Sequence, residues 1–399
     1  MTSTPQPRAV VNLNAGPSAL PPAVLAKAAQ AVVDLDNSGL SILCISHRSP
    51  AFDAIVAQAN ANLAHLLSIP TSDFSILWIQ GGASTQFHAV VANLAARARG
   101  LGAPQDWVAD YLVTGTWSEK AVEAANAAGI KTNVVWTGKP NKYTSVAPVS
   151  QWQRSPNRLY TYVCTNETIH GVELNDAILR DAATAATTED PSHFRPLLVA
   201  DMSSNILSRP VDINLYDIIF AGAQKNMGPA GVTIALVRNS LLAVQPDQAQ
   251  FPLPLMIDYA TYAKSNSMYN TPPVYAMYVT GLVLDWLKEH GGIAWIHDQN
   301  QVKADAVYKA LEEAKHFTPV VAQADVRSRM NVVFQVVDDE GKPQEALNKK
   351  FTQFAEKRGV VGLPGHRSVG GCRASLYNAV TVEEAQVLVE CIREFDRLL

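Results

Sequence analysis

A lysine and an aspartate that each follow an apolar run are the residues of this sequence best placed to do chemistry. Asp201 comes directly after Leu197-Leu198-Val199-Ala200, and Lys225 follows Asp217-Ile218-Ile219-Phe220-Ala221 through Gly222-Ala223-Gln224. In open α/β sheets ligands bind beyond the carboxyl ends of the strands, which is where both residues fall. Either one alone is ordinary. As a pair, an amine able to condense with an aldehyde and a carboxylate able to hold a proton on a pyridine nitrogen match a cofactor that carries both groups.

A third segment adds a place for phosphate. Gly81-Gly82-Ala83-Ser84-Thr85 lies between a short apolar run and an amphipathic pattern, so it reads as a Gly-rich helix start. The free backbone N–H groups and the positive end of the helix dipole favour an anion there, with the Ser84 and Thr85 hydroxyls in reach. An unliganded tight turn is the plain alternative, and neither GxxxxGK[ST] nor GxGxxG occurs. Trp117, in Thr114-Gly115-Thr116-Trp117-Ser118, follows another strand and could stack on a flat ring or simply fill the core. Two His-Arg pairs, His47-Arg48 and His366-Arg367, stand far apart in the chain. Guanidinium groups bind phosphate and carboxylate bidentately, so such pairs suit a small substrate bearing both, although a surface position is the ordinary alternative for each.

The elements that would position these residues alternate between short apolar runs and helical patterns. Strands are predicted at Leu77–Ile79, Trp107–Val113, Thr132–Trp136, Arg158–Cys164, Leu197–Ala200, Ile218–Ala221 and Val232–Val237, with helices Thr85–Arg99 and Glu119–Ala128 between them. This is the signature of βαβ units in a mostly parallel, seven-stranded sheet covered by helices on both faces. The stretch Asp181–His193, rich in Ala, Thr and acidic residues, reads as a solvated loop. After Pro273 the texture changes to long helical patterns, Val274–His290 and Trp295–Lys315. A second small α/β unit follows: strand Asn331–Val337, helix Gln344–Arg358, strand Arg373–Tyr377 and a last helix opened by the capping box Thr381/Glu384. The expected division is a large cofactor-binding domain, 1–273, and a smaller carboxyl-terminal α/β domain, 274–399, with residues 1–20 packing near the smaller one.

Composition narrows the class. In 399 residues, 48% are hydrophobic and 17% charged, which excludes a polar disordered chain. Lys and Arg number 32 against 36 Asp and Glu, a net charge of −4 that argues against nucleic-acid binding. No apolar stretch reaches the roughly 20 residues of a membrane helix. The first residues carry no secretory pattern, and Cys44, Cys164, Cys372 and Cys391 are too dispersed for a disulfide framework or a zinc module, so a cytoplasmic protein without metal is expected.

Ala221-Gly222-Ala223-Gln224-Lys225-Asn226-Met227-Gly228-Pro229-Ala230-Gly231 resembles the cofactor-lysine segment of the phosphoserine aminotransferases, class V members of the fold type I pyridoxal-phosphate group. Asn14-Ala15-Gly16-Pro17, Ser46-His47-Arg48-Ser49, Gln80-Gly81-Gly82, Asn166-Glu167-Thr168-Ile169-His170-Gly171, Asp201-Met202-Ser203-Ser204, Tyr269-Asn270-Thr271-Pro272-Pro273 and Gly365-His366-Arg367-Ser368 through Arg373-Ala374-Ser375 resemble that family in the same order. The resemblance implies pyridoxal 5′-phosphate as cofactor, Lys225 as its Schiff-base lysine and proton shuttle, and Asp201 on the pyridine nitrogen. Trp117 would stack on the ring and Thr168 would bond its phenolic oxygen. Ala83, Ser84 and Gln224 would hold the phosphate together with Asn270 and Thr271 from a second subunit, which implies a homodimer. Arg373 would take the substrate α-carboxylate, and His47, Arg48, His366 and Arg367 would surround the substrate phosphate. The implied reaction moves the amino group of L-glutamate to 3-phosphohydroxypyruvate in L-serine biosynthesis, giving O-phospho-L-serine and 2-oxoglutarate. Some relatives have arginine where this chain has Ser84, so backbone donors must do more. The alternatives are another class V aminotransferase of alanine–glyoxylate or serine–pyruvate type, a cysteine desulfurase using Cys372, or a cofactor-binding module without turnover.

Overall fold

The computed structural model describes residues 10–102, 106–187, 196–244 and 253–399. Seven strands form the main sheet: β1 (Phe74–Ile79), β2 (Val108–Val113), β3 (Thr132–Thr137), β4 (Arg158–Cys164), β5 (Leu197–Asp201), β6 (Ile218–Gly222) and β7 (Thr233–Arg238), in the order β1-β7-β6-β5-β4-β2-β3. All neighbours are parallel except β7, which runs against both β1 and β6. Six strands therefore point the same way, and their carboxyl ends share one edge.

Period-two alternation sorts the side chains of these strands onto two separate cores. Leu112, Val163, Leu198, Ala200, Ile219 and Ile234 face one; Tyr111, Tyr162, Val199, Ile218, Phe220 and Ala235 face the other. The central strands are buried along their whole length, which is why they are mostly apolar on both faces rather than half polar.

A smaller antiparallel sheet is built from β8 (Phe317–Pro319), β9 (Asn331–Val336) and β10 (Cys372–Ser375). Its core includes Phe334, Phe351, Leu388 and Phe395, together with Val11 and Leu13 from the start of the chain. Val11 and Asn12 pair in parallel with Val360 and Val361. Helix Val274–Glu289 packs on helices Pro22–Val33 and Pro50–Leu66, placing Met277, Leu284 and Leu287 in one main-sheet core. Helix Gly292–Glu313 enters that core at Ile296 and reaches the small-sheet core at Val307, Ala310 and Leu311. The capping box that opens helix Val382–Asp396 is formed: Thr381 Oγ1 accepts from Glu384 N, and Glu384 Oε2 accepts from Thr381 N.

One expectation is overturned. The stretch beginning at Asp181 is not a loop, because helix Asp176–Thr187 runs through it; the remainder of that stretch, up to His193, lies outside the described residues. Leu179, Ala182 and Ala183 are buried. Their i, i+3, i+4 spacing makes a stripe that small alanines supply without looking hydrophobic.

Gly171, in the turn of the hairpin Asn166–Glu167 with Val172–Glu173, packs directly on β9. It sits at φ +73, and a Cβ there would lie 2.8 Å from the Asn331 carbonyl oxygen and 2.9 Å from Val333 Cγ2. A Gly171→Ala substitution meets both backbone strain and a steric clash, so it should cost about 1–3 kcal/mol. Urea unfolding of the two proteins measures this, and equal midpoints would refute the packing account.

Candidate active site

The shared edge of the six strands carries the chemistry-bearing residues. After β1 the chain turns at Gly81 (φ +98) and Gly82 (φ +66) into helix Gly82–Gly100. No larger residue fits at Gly81: a Cβ would stand 2.0 Å from Thr85 Oγ1, whose hydroxyl donates to the Gly81 carbonyl at 3.0 Å. Ala83 and Ser84 lie in the first turn, where backbone N–H groups have no partner inside the helix. Asp201 ends β5, and Lys225 lies in the turn after β6, its carbonyl held by the Ser18 hydroxyl and the adjacent Gln224 carbonyl by Ser18 N at 3.0 Å.

A cavity of about 370 Å³ joins these ends, lined by Ala83, Ser84, Trp117, Thr168, Asp201, Gln224, Lys225, His366 and Arg373. That is within the size range of cofactor and small-ligand sites. Lys225 Nζ donates to Thr168 Oγ1 at 2.8 Å and lies 5.9 Å from the centre of the Trp117 ring. Asp201 Oδ1 accepts from Ser203 N at 2.8 Å, and the Tyr162 hydroxyl stands 3.5 Å from Oδ2. Burial lowers the pKa of the Lys225 amine, opposed by the Asp201 charge; burial raises that of the Asp201 carboxyl, opposed by its bonds from Ser203. A dry site thus pulls both groups toward neutrality, each partly restrained by the other.

Arg373, in β10, brings a cation from the small sheet. Its Nη1 donates to the Thr168 carbonyl at 3.4 Å, while its buried Nε has no partner among the described residues, and the same holds for the buried Trp117 Nε1. His366 adds a second nitrogenous side chain, its Nδ1 2.6 Å from Ser368 Oγ. Behind this wall His170 is buried, its Nε2 3.0 Å from Thr116 Oγ1 and its ring 4.4 Å from that of Tyr143. Burial pushes its pKa down to about 4, and nearby His366 pushes the same way.

Nine of the residues singled out in the sequence meet at this one cavity; His47, Arg48, Asn270, Thr271 and Arg367 do not line it. The Thr271 carbonyl accepts from Gln80 Nε2 at 3.3 Å, and Asn270 Oδ1 is buried without a partner among the described residues. His47 and Arg48 sit between Ser46 and Ser49, which line a separate groove of about 1000 Å³. Ala15, Gly16, Cys164, Asn166, Ser203 and Ser204 also line the cavity without having been assigned a role. The signal for the last three was available, since each lies at or just beyond a strand's carboxyl end. Cys372 is wholly buried and its thiol pKa is raised by burial, the opposite of an activated nucleophile.

Comparison with known proteins gives this geometry a family. The model of the class-V aminotransferases matches residues 10–388. The phosphoserine aminotransferase of Geobacillus kaustophilus is 43% identical over 386 residues, covering 97% of this chain and 98% of its own. The structure of phosphoserine aminotransferase from Bacillus circulans subsp. alkalophilus superposes with a TM-score of 0.85 at 38% identity, covering 98% of this chain and 99% of that one. That of PLP-bound phosphoserine aminotransferase from Trichomonas vaginalis gives 0.84 at 34%, covering 96% and 99%. The chain therefore belongs to the class-V aminotransferases, and within them to the phosphoserine aminotransferases. Its cofactor is pyridoxal 5′-phosphate and its chemistry is amino-group transfer. The cavity suits that cofactor: a buried amine, a buried carboxylate, an aromatic face and a turn of free amides all reach it.

His170 yields a test of the electrostatics. With the folded value near 4 and the ordinary value 6.5, the unfolded chain binds more protons in that window, so the residue's contribution to stability is present above about pH 6.5 and is lost as pH falls toward 4. The stability difference between the unaltered protein and His170→Gln should therefore shift, against the unaltered protein, by about 2–3 kcal/mol across that window. Denaturant unfolding at a series of pH values measures it, and a pH-independent difference would contradict the burial of a neutral ring.

Proposed function

We propose that the chain transfers the amino group of L-glutamate to 3-phosphohydroxypyruvate, giving O-phospho-L-serine and 2-oxoglutarate, the transamination step of L-serine biosynthesis. The observation that carries this reading is the convergence of Lys225, Asp201, Thr168 and Arg373 on one cavity. When bound, the cofactor supplies an aldehyde that condenses with amines and a pyridine ring that accepts electrons.

The chain's own residues do the rest. Lys225 Nζ would hold the cofactor's aldehyde and, as a free amine, would take and return the proton at the substrate α-carbon. Its lowered pKa suits this work, because a neutral amine is a base while an ammonium is not. Asp201 keeps a proton on the pyridine nitrogen. Thr168, already bonded to Lys225 Nζ, would meet the ring's phenolic oxygen, and Trp117, whose ring centre lies 5.9 Å from Nζ, would cover one ring face. The first-turn amides of Ala83 and Ser84, with Gln224, hold the cofactor phosphate; Ser84 brings no charge, so the helix dipole carries more of that task. Arg373 takes the substrate α-carboxylate, and His366 with Arg367 takes the substrate phosphate or the γ-carboxylate of glutamate.

The remaining residues enter from a second copy of the chain. The large groove is mostly apolar, lined by Ala31, Leu35, Leu40, Ile45, Ile55 and Leu282, and Leu40 and Leu43 are 55% and 61% exposed. Apolar surface of that kind marks an interface. A homodimer closing over it would bring the partner subunit's His47 and Arg48, and the partner subunit's Asn270 and Thr271, to each site. The cysteines of the described residues are all free thiols and no helix among those residues is long and apolar enough to cross a membrane, both in keeping with a cytoplasmic enzyme.

A coupled assay with glutamate as donor should show turnover of 3-phosphohydroxypyruvate far above that of pyruvate or glyoxylate; comparable turnover of all three would overturn the substrate assignment. Lys225→Ala should abolish turnover and the visible absorbance change on adding glutamate. Arg373→Lys keeps the charge but loses the fork, so kcat/KM should fall about 10- to 100-fold. An unchanged value would remove Arg373 from substrate binding.

A further inference from the structure

Glu167 has no part in the roles above, yet its side chain reaches the base of the Trp117 wall. It is wholly buried. Oε1 accepts from Ser118 N at 2.8 Å and from Ser118 Oγ at 2.6 Å, and Oε2 accepts from Trp117 N at 3.1 Å. These amides open helix Thr116–Ala127, whose N-cap residue, Gly115, has no side chain to satisfy them. A Cβ on Gly115 would lie 2.6 Å from Glu167 Cδ, so the carboxylate occupies the space of a local capping side chain.

We infer that Glu167 is a positioning residue that fixes the Trp117 ring against the cofactor. A serine or aspartate at the N-cap would satisfy the helix start by itself. A carboxylate sent from a distant hairpin, Asn166–Glu167 with Val172–Glu173, does something a local cap cannot: it ties the backbone of Trp117 to the backbone that carries Thr168. The two residues that face Lys225, one through its ring and one through its hydroxyl, thereby move as one unit. The helix dipole and three donors make the buried carboxylate tolerable at this point, whereas elsewhere in the core it would be strongly disfavoured. Burial raises its pKa to about 7 even so.

The inference rests on the reading of Trp117 as the ring-stacking residue, and a double-mutant cycle separates the two. Glu167→Gln presents an amide where donors converge, so the holoenzyme should bind pyridoxal 5′-phosphate about 10-fold more weakly and lose part of its visible circular dichroism. In a Trp117→Ala background the same substitution should change cofactor affinity by less than about 2-fold, because the ring it positions is gone. An equal loss in both backgrounds, or no loss in either, would overturn the positioning role. If Trp117→Ala alone left affinity and dichroism unchanged, the stacking assignment would fall instead. Should Glu167→Gln not fold, Ser118→Ala removes one of the three donors, together with the acceptor of Thr114 N and Gly115 N, and its expected weakening of about 3-fold should vanish in the Trp117→Ala background.

Discussion

Withdrawing the Asp201 carboxylate and the Lys225 amine from water is the constraint around which the site is arranged. Each buried charge costs several kcal/mol unless hydrogen bonds and an opposite charge offset it. The offsets come from different elements: Ser203 beyond β5, Tyr162 on β4, Thr168 on the hairpin after β4. Only a sheet whose strands end on one edge can bring so many backbones to two side chains at once. The parallel order and the helices on both faces follow from that demand as much as from apolar burial.

A second polar system joins the two sheets. Asn166 Nδ2 donates to Ser204 Oγ at 2.7 Å and to Asn331 Oδ1 at 2.8 Å, while Ser328 Oγ donates to Asn166 Oδ1 at 2.6 Å. Asn331 Nδ2 in turn reaches the Tyr377 hydroxyl at 3.1 Å. Buried networks of this kind are costly when incomplete and rigid when satisfied. This one is satisfied at Asn166, which sets β9 and β10, and hence Arg373, at a fixed height over the main sheet.

Much of this was legible from residue order. The main strands show because their runs are short, apolar and bounded by turn residues, and Asp201 and Lys225 show because they stand at strand ends. The glycines mark the start of helix Gly82–Gly100, whereas Thr116–Ala127 opens three residues before its periodic pattern, since small and polar first-turn residues look like loop. The helix at Asp176–Thr187 hid behind alanines, and β8 is only three residues long. Arg373 carries no local sign of its role, because its neighbours at the site come from hairpin and sheet elements far away in sequence. The same distance conceals Glu167: nothing in the chain near Gly115 announces that its cap arrives from another element.

The parallel pairing of Val11 and Asn12 with Val360 and Val361 has a consequence for how the protein is made. Val11 and Asn12 find their partners only after Val360 and Val361 have been synthesised. The Ala15 carbonyl waits in the same way for the Tyr377 hydroxyl, and nearby Ser18 anchors the Lys225 turn. The main sheet also depends on distant pairing, since β1 (Phe74–Ile79) joins β7 (Thr233–Arg238), yet all of its strands precede Val360 in the chain. The pairing of Val11 and Asn12 with Val360 and Val361 therefore follows synthesis of every main-sheet strand, and a chain cut short before Val360 lacks both that pairing and Arg373.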